Sequence, residues 1–210
     1  MRLFNTPEST GTQFLRKRFQ DLANDFAAEK IRPIDRVIVF ISSHGSNKND
    51  DEEGFWIQCY DHERLHFEQT SLNFRTDILK VLKKVRCKKY LLIDACHSGA
   101  ITDIEAEKME LDALVSCSPE QNSYEDPAWE NGAFTEAILE AFYNEKVKIG
   151  KKRIEADSGS DNLLNLIELS DYVKLRVPSL VKKAKGDNQV PYLIRETSNE
   201  ALPFFSNHKD

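Results

Sequence analysis

Two polar motifs stand directly after short apolar runs, and each contains a residue capable of covalent chemistry. Residues 37–41 (VIVFI) lead into SSHGS, which contains His44 and Gly45. Residues 90–93 (YLLI) lead into DACHSG, which contains Cys96. A thiol is only slightly ionised at neutral pH, so a hydrolase needs a base beside its cysteine to raise the thiolate fraction. His44 is the predicted base, and the pair indicates a nucleophilic cysteine hydrolase.

Apolar runs alternate with helical repeats along the chain, and this alternation predicts a single α/β domain. The runs are continuous, which is typical of strands buried on both faces of a mostly parallel sheet. The predicted strands are residues 37–41, 90–93, 114–115 with their neighbours, and 190–194. Repeats with spacings of three and four predict helices that include Leu15, Phe74, Phe134 and Ile167. Ligands of such sheets bind beyond the carboxyl ends of the strands, so His44 and Cys96 should face one crevice if their strands are neighbours.

The residues around the pair fit the demands of acyl transfer. Gly45 leaves its N–H free to approach a substrate carbonyl, and with the N–H of Cys96 it could form an oxyanion hole. His97 is a poorer candidate base, because side chains of consecutive residues generally point apart, and we expect it to orient the loop. The alternative is that Cys96 is a buried thiol and His44 an ordinary loop histidine, since free cysteines are among the most buried residues.

The motif SSHG followed by DACHSG resembles the signatures of caspase-like cysteine peptidases, closest to the metacaspase and prokaryotic orthocaspase branch. About 50 residues separate His44 from Cys96, which matches the family's spacing. The segments VSCSPEQNSYED, GAFTEAILEAF and QVPYLIRE are also similar to the family. The resemblance implies one peptidase domain over residues 1–210, a three-layer sandwich with a mostly parallel central sheet and helices on both faces. It also implies a cysteine endopeptidase with Cys96 as nucleophile and His44 as proton carrier.

Asp94 is where the sequence departs from the animal caspases, which carry glutamine at this position of the motif. In metacaspase-like enzymes the matching acid lies at the base of the pocket for the substrate residue before the cut. The resemblance therefore implies cleavage after arginine or lysine, since a carboxylate pairs with basic side chains and repels acidic ones. By the same resemblance Ser116, Cys117 and Ser118 edge this pocket. The alternative is that Asp94 only caps the loop backbone.

The resemblance leaves a gap at the start of the chain. Caspase-like domains open with a strand and a helix that find no counterpart before Met1, so the fold is expected to lack them. A missing middle strand would leave an open apolar slot between two neighbouring strands. An N-terminal fragment, a second chain or a sensor module would then complete the sheet, within a larger prokaryotic signalling or defence system. The competing hypothesis is a catalytically silent interaction module with the caspase fold.

Two segments partly match metal-binding patterns. Residues 62–66 (HERLH) match H-E-x-x-H, in which two imidazoles on one helical face hold zinc. The charge of Arg64 and the strand-like aromatic run before the segment argue against a zinc helix. Residues 157–168 partly match a calcium loop, and residues 50–53 are a second place where calcium could bind, but solvated acidic loops are favoured. We therefore expect no cofactor and no bound metal.

Composition limits the remaining partners. The chain has 210 residues and a net charge of −6, without a basic stripe interleaved with aromatics, so direct binding of nucleic acid is not expected. No apolar run approaches the length of a membrane span, and the N-terminus lacks the layout of a signal peptide. These features predict a cytoplasmic protein, and the resemblance implies that it acts on a protein or peptide substrate.

Overall fold

A four-stranded mixed sheet lies at the centre of the fold. The computed structural model describes residues 6–47, 54–103, 110–143, 146–194 and 203–206. Its strands are, in chain order, β1 (Arg36–Ser42), β2 (Gly45–Asn47), β3 (Phe55–Gln58), β4 (Ser71–Asn73), β5 (Lys88–Asp94), β6 (Leu111–Val115), β7 (Glu125–Asp126), β8 (Asn131–Gly132), β9 (Val147–Ile149), β10 (Lys152–Ile154), β11 (Leu163–Asn165), β12 (Tyr192–Ile194) and β13 (Pro203–Ser206). Its α-helices are α1 (Thr12–Ala27), α2 (Lys80–Leu82), α3 (Ala133–Phe142) and α4 (Leu166–Lys185). None of the helices in these residues is long and apolar enough to cross a membrane.

The central sheet has the strand order β1-β5-β6-β12. Strand β5 pairs in parallel with both β1 and β6, whereas β12 runs antiparallel to β6. The prediction of a mostly parallel central sheet is therefore confirmed. Strands β2, β3 and β4 form a separate antiparallel sheet, whose first strand begins just after β1.

The side chains of β5 alternate between two hydrophobic cores, which gives the fold three layers. On one face Leu91 and Ile93 pack with residues of β3, α1 and the π-helical segment Phe74–Leu79 that leads into α2. On the other face Tyr90 and Leu92 pack with residues of α3 and α4. Each fully buried leucine or isoleucine contributes about 1.5–3 kcal/mol of transfer free energy, so both helical layers are held firmly on the sheet. The predicted helices on both faces are confirmed.

The long helix α4 has capped ends and is joined to α3 by a buried ion pair. It begins in a capping box, in which Asn165 accepts the N–H of Glu168 while the Glu168 carboxylate accepts the N–H of Asn165. It ends at Gly186, whose φ of 69° lies in the left-handed region that glycine adopts without strain. On its inner face Arg176 donates two hydrogen bonds, of 2.7 and 2.6 Å, to Glu140 of α3.

Strand β1 differs from the prediction of a strand buried on both faces. Val39 and Ile41 pack against the core, but Ile38 and Phe40 remain 48% and 47% exposed. Among the described strands β1 pairs with β5 alone, so it forms an outer edge of the sheet. Within the described residues β1, β5 and β6 are direct neighbours, so the predicted slot does not lie between them. Residues 2–4, which would flank the slot beside β1, lie outside the described residues, and the slot stays a prediction. A partner that adds a strand at this edge stays a prediction.

Candidate active site

The two predicted motifs follow neighbouring strands and lie at the same edge of the sheet. In the β1–β5 ladder Ser42 pairs with Asp94, and these are the last residues of the two strands. The next N–H of the first strand, that of Ser43, donates to the Asp94 carbonyl at 3.1 Å. His44 and Cys96 each come two residues after the paired ends, so the parallel register brings them level. The condition set by the sequence analysis, that the two strands are neighbours, is met.

Contacts on both sides fix the loop that carries His44. The Ser43 hydroxyl donates to the Gln58 carbonyl at 2.7 Å, and the Gln58 N–H donates to the His44 carbonyl at 2.9 Å. The loop is therefore tied to β3 as well as to β5. His44 is an exposed residue on an anchored backbone, and this arrangement leaves its imidazole accessible to a ligand.

Gly45 makes the closest approach between the two loops. A Cβ atom at this position would overlap the carbonyl oxygen of Cys96, and it would lie 2.8 Å from the Phe55 ring and 3.1 Å from the Ala95 Cβ. Backbone and buried ring atoms cannot retreat far in a packed interior. Only glycine therefore lets the histidine loop press against the cysteine loop at this point.

Cys96 is the accessible thiol of the chain. It is half-buried, whereas Cys59, Cys87 and Cys117 are buried. Burial raises the pKa of each of these three thiols above its usual value. The Cys96 sulfur accepts the N–H of Ser123 at 3.3 Å and lies 3.6 Å from the Ser123 carbonyl oxygen. The sulfur is therefore held between the backbone N–H and the carbonyl group of one residue.

Ser116 and Cys117 support the cysteine loop from below. The Ser116 hydroxyl lies 3.1 Å from both the N–H and the carbonyl oxygen of Ala95, and the Cys117 thiol donates to the same carbonyl at 3.3 Å. Both side chains are fully buried, and the Cys117 thiol also lies 3.3 Å from the Gln121 carbonyl oxygen in the loop after β6. Ser118 is half-buried, and its hydroxyl donates to Glu120 at 3.2 Å. Direct contact of these residues with a substrate stays a prediction, and Ser118 is the best placed of the three.

Asp94 lies under the cysteine loop with 4% of its surface exposed. Its Oδ1 accepts the Ser123 hydroxyl at 2.6 Å, and its Oδ2 accepts the N–H and hydroxyl of Thr135 at 3.0 and 2.5 Å. Burial raises its pKa, against these hydrogen bonds, and the nearby charge of Glu125 raises it further. Thr135 lies in the first turn of α3, so Asp94 caps the start of this helix and not the loop backbone that the alternative interpretation named. The pocket role stays a prediction.

Comparison with known proteins identifies the family. A model of the caspase domain matches residues 9–202. The chain belongs to the caspase family of cysteine peptidases. The crystal structure of caspase-1 from Spodoptera frugiperda is similar, with a TM-score of 0.55 over 87% of this chain and 67% of that chain, at 15% identity. Comparison with curated proteins finds no significant match. Caspase-family enzymes act on protein substrates, so the match supports cysteine peptidase activity in general; at 15% identity the solved structure supports the fold alone.

The second histidine of the caspase-family motif has a different place from His44. The Nδ1 atom of His97 lies 2.8 Å from the Pro119 carbonyl oxygen, and the His97 N–H donates to the Gln121 carbonyl at 2.9 Å. Both contacts hold the loop after β6 against the cysteine loop. This geometry agrees with the expectation that His97 orients the loop.

The two segments that match metal-binding patterns do not adopt the structures of the metal-binding motifs. In the HERLH segment only Arg64–His66 is helical, as one 3-10 turn, and His62 lies before it with its Nδ1 3.1 Å from the Ser71 hydroxyl. In the calcium-like segment the Asp157 carboxylate accepts the N–H groups of Asp161 and Asn162, at 3.3 and 2.9 Å. Residues 50–53 lie outside the described residues. Within the described residues no group of three His, Cys, Asp or Glu side chains could hold a metal ion.

Sequence reasoning missed three residues that touch or support this caspase-family site. Ser123 contacts both the Cys96 sulfur and Asp94, Thr135 binds Asp94, and Gln189 binds Ser123 at 3.0 Å. All three occur in the segments that resemble the family, SPEQNSYED, GAFTE and QVPYL. That resemblance was the available signal, but a serine, a threonine and a glutamine have no spacing rule that would assign them to one site.

Proposed function

We propose that the chain is a cysteine endopeptidase that uses Cys96 as nucleophile and His44 as proton carrier. The observation that carries the proposal is the register of β1 against β5, with Gly45 pressed on the Cys96 carbonyl. Two anchored loops thus meet at the carboxyl edge of the sheet. Ligands of open α/β sheets bind at this edge.

The proposed reaction proceeds by acyl transfer. The Cys96 sulfur attacks the substrate carbonyl carbon, and the N–H groups of Gly45 and Cys96 receive the oxyanion. The C–N bond breaks as protonated His44 gives its proton to the leaving amine, and a thioester remains on the sulfur. His44 then takes a proton from water, which attacks the thioester and releases the carboxylate product and the thiolate.

Asp94 supports cleavage after arginine or lysine. It lies two residues before the nucleophile, and its carboxylate is bonded to Ser123, whose N–H reaches the nucleophile sulfur. The charged neighbour that perturbs its pKa is another carboxylate, Glu125. The local field is therefore negative, which attracts a guanidinium or ammonium group and repels an acidic side chain. A basic side chain would also stabilise the ionised form that burial disfavours.

The test is hydrolysis of fluorogenic peptides that end in Arg, Lys, Asp or Leu before the cut. We expect turnover of the Arg and Lys peptides, and its loss in Cys96→Ala and in His44→Ala. Matched controls are Cys87→Ala, which removes a buried thiol, and His66→Ala, which removes an exposed histidine outside the site. Turnover that survives in Cys96→Ala would refute the nucleophile, and preference for Asp or Leu would refute the role of Asp94.

The cellular location and the biological role of the protein are inferred from the sequence alone. A cytoplasmic location and a place as effector in a prokaryotic signalling or defence system remain predictions. Calcium activation is tested in the same assay, by comparing turnover in calcium with turnover in a chelator.

A further inference from the structure

Residues 187–190 join α4 to β12 and lie against the loop that carries Ser123; we call them the strap. The Asp187 carboxylate accepts the Tyr124 hydroxyl. The Val190 N–H donates to the Gln121 side-chain oxygen at 3.1 Å, and the Gln121 amide nitrogen lies 3.5 Å from the Asn188 carbonyl oxygen. The strap is therefore bonded to this loop along its whole length.

Gln189 is the one strap residue that points inward, and its side chain is fully buried. Its Nε2 donates to the Ser116 carbonyl at 3.0 Å and to the Ser123 hydroxyl oxygen at 3.0 Å. Its Oε1 accepts the N–H of Tyr124 at 2.9 Å. A buried amide is costly unless its polar atoms are bonded, and here both ends have partners.

These partners fix the direction of the hydrogen bonds that the Ser123 hydroxyl makes. The Tyr124 N–H can only donate and the Ser116 carbonyl can only accept, so the amide of Gln189 has one orientation. Its N–H therefore faces the Ser123 oxygen. The hydroxyl hydrogen of Ser123 is then directed to Asp94, at 2.6 Å, while the Ser123 N–H is directed to the Cys96 sulfur at 3.3 Å.

We propose that Gln189 is a positioning residue that holds Ser123 in place. In this position the Ser123 hydroxyl donates to Asp94, and the Ser123 N–H donates to the Cys96 sulfur. It touches neither the sulfur nor a substrate and acts through Ser123. The catalytic consequence rests on the proposed peptidase function, but the effect on the thiol can be measured without any turnover.

The test is the rate of alkylation by iodoacetamide as a function of pH. Cys96→Ala supplies the background from the three buried thiols. The variants are Gln189→Met, which keeps the length but loses all three hydrogen bonds, and Gln189→Glu, whose second oxygen repels the Ser116 carbonyl and draws the Ser123 hydroxyl away from Asp94. The matched control is Asn188→Ala, which shortens an exposed side chain of the strap.

Both Gln189 variants should move the pH midpoint of Cys96 alkylation up by about one unit, which is the loss of one hydrogen bond to a thiolate. Alkylation at pH 7 then slows about tenfold, since one unit is a factor of ten. For an Arg peptide KM should also rise in Gln189→Glu, because Asp94 then loses the Ser123 hydroxyl as a donor. Asn188→Ala should keep the parent profile. Midpoints that stay with the parent in folded Gln189 variants would overturn the proposal.

If the Gln189 variants do not fold, the proposal is still tested by a measurement on the unaltered protein. Hydrogen exchange of the Tyr124 N–H in the unaltered protein reports the Gln189 contact directly, and we expect it to be slow. Exchange as fast as that of an unprotected amide would contradict the contact. If the parent hydrolyses no peptide but the alkylation midpoints shift as expected, the peptidase proposal fails while the role of Gln189 stands.

Discussion

Replacing Gly45 with alanine adds one methyl group where the histidine loop presses on the cysteine loop. The new Cβ would overlap the Cys96 carbonyl oxygen and lie 2.8 Å from the buried Phe55 ring and 3.1 Å from the Ala95 Cβ. Because the nearest atom belongs to backbone, rotation of a side chain cannot relieve the clash. The two loops must therefore move apart.

The size of the effect follows from this crowding. Overpacking of a tight interior costs about 1–3 kcal/mol. In a domain of this size each kcal/mol lowers Tm by about 2–4 °C, so Gly45→Ala should melt about 2–12 °C lower than the parent. Separation of the loops also moves the two proposed oxyanion donors apart, and loss of one such donor lowers kcat by about 10²–10³.

Thermal melting and peptide hydrolysis measure these two effects on the same samples. Gly11→Ala is the matched control, because its Cβ would meet neighbouring atoms only at 3.8 Å. We expect the control to keep the parent's activity. A Gly45→Ala protein that melts and hydrolyses peptide like the parent would refute the close approach of the loops and the role of Gly45 in catalysis.

Two further predictions concern buried charge. Glu140→Ala removes the carboxylate that pairs with Arg176, whose side chain is 16% exposed, so the free energy of unfolding in urea should fall by about 3 kcal/mol. The control Glu155→Ala breaks the exposed Arg153–Glu155 pair and should leave the urea midpoint unchanged. An equal loss of stability in the two variants would contradict the role of the Glu140–Arg176 pair. The raised pKa of Asp94 means that the folded protein holds this proton more tightly than the unfolded chain, whose carboxyl titrates near 3.8. Its contribution to stability is present below that pH and is lost as pH rises through the folded-state pKa. Asp94→Asn should therefore gain stability relative to the parent as pH rises above 3.8, and a difference in Tm that does not change with pH would count against this assignment.

The sequence predicted the parts of the fold that depend on local pattern. Apolar runs placed β1 and β5, and the motifs after them placed His44 and Cys96 at one edge of the sheet. The exposure of Ile38 and Phe40 could not be predicted in this way. Whether an apolar strand is covered depends on which elements pack beside it, and the pattern of β1 carries no information about them.

The supporting shell of the site could not be predicted for a related reason. Ser123, Thr135 and Gln189 lie far along the chain from Asp94 and Cys96, and only the packing of α3 and the strap brings them together. Each is a common polar residue whose role is set by its partners. Only the three-dimensional structure shows that the buried amide of Gln189 bonds Ser123, and that Ser123 in turn bonds both Asp94 and Cys96.

The most direct test of the central claim is to map the residue that an arginyl chloromethyl ketone modifies. After reaction and digestion, mass spectrometry should find one adduct, on Cys96, and peptide hydrolysis should fall in proportion to its yield. His44→Ala should slow the labelling. Hydrolysis that persists after Cys96 is fully modified, or an adduct on any other residue, would contradict the proposed mechanism.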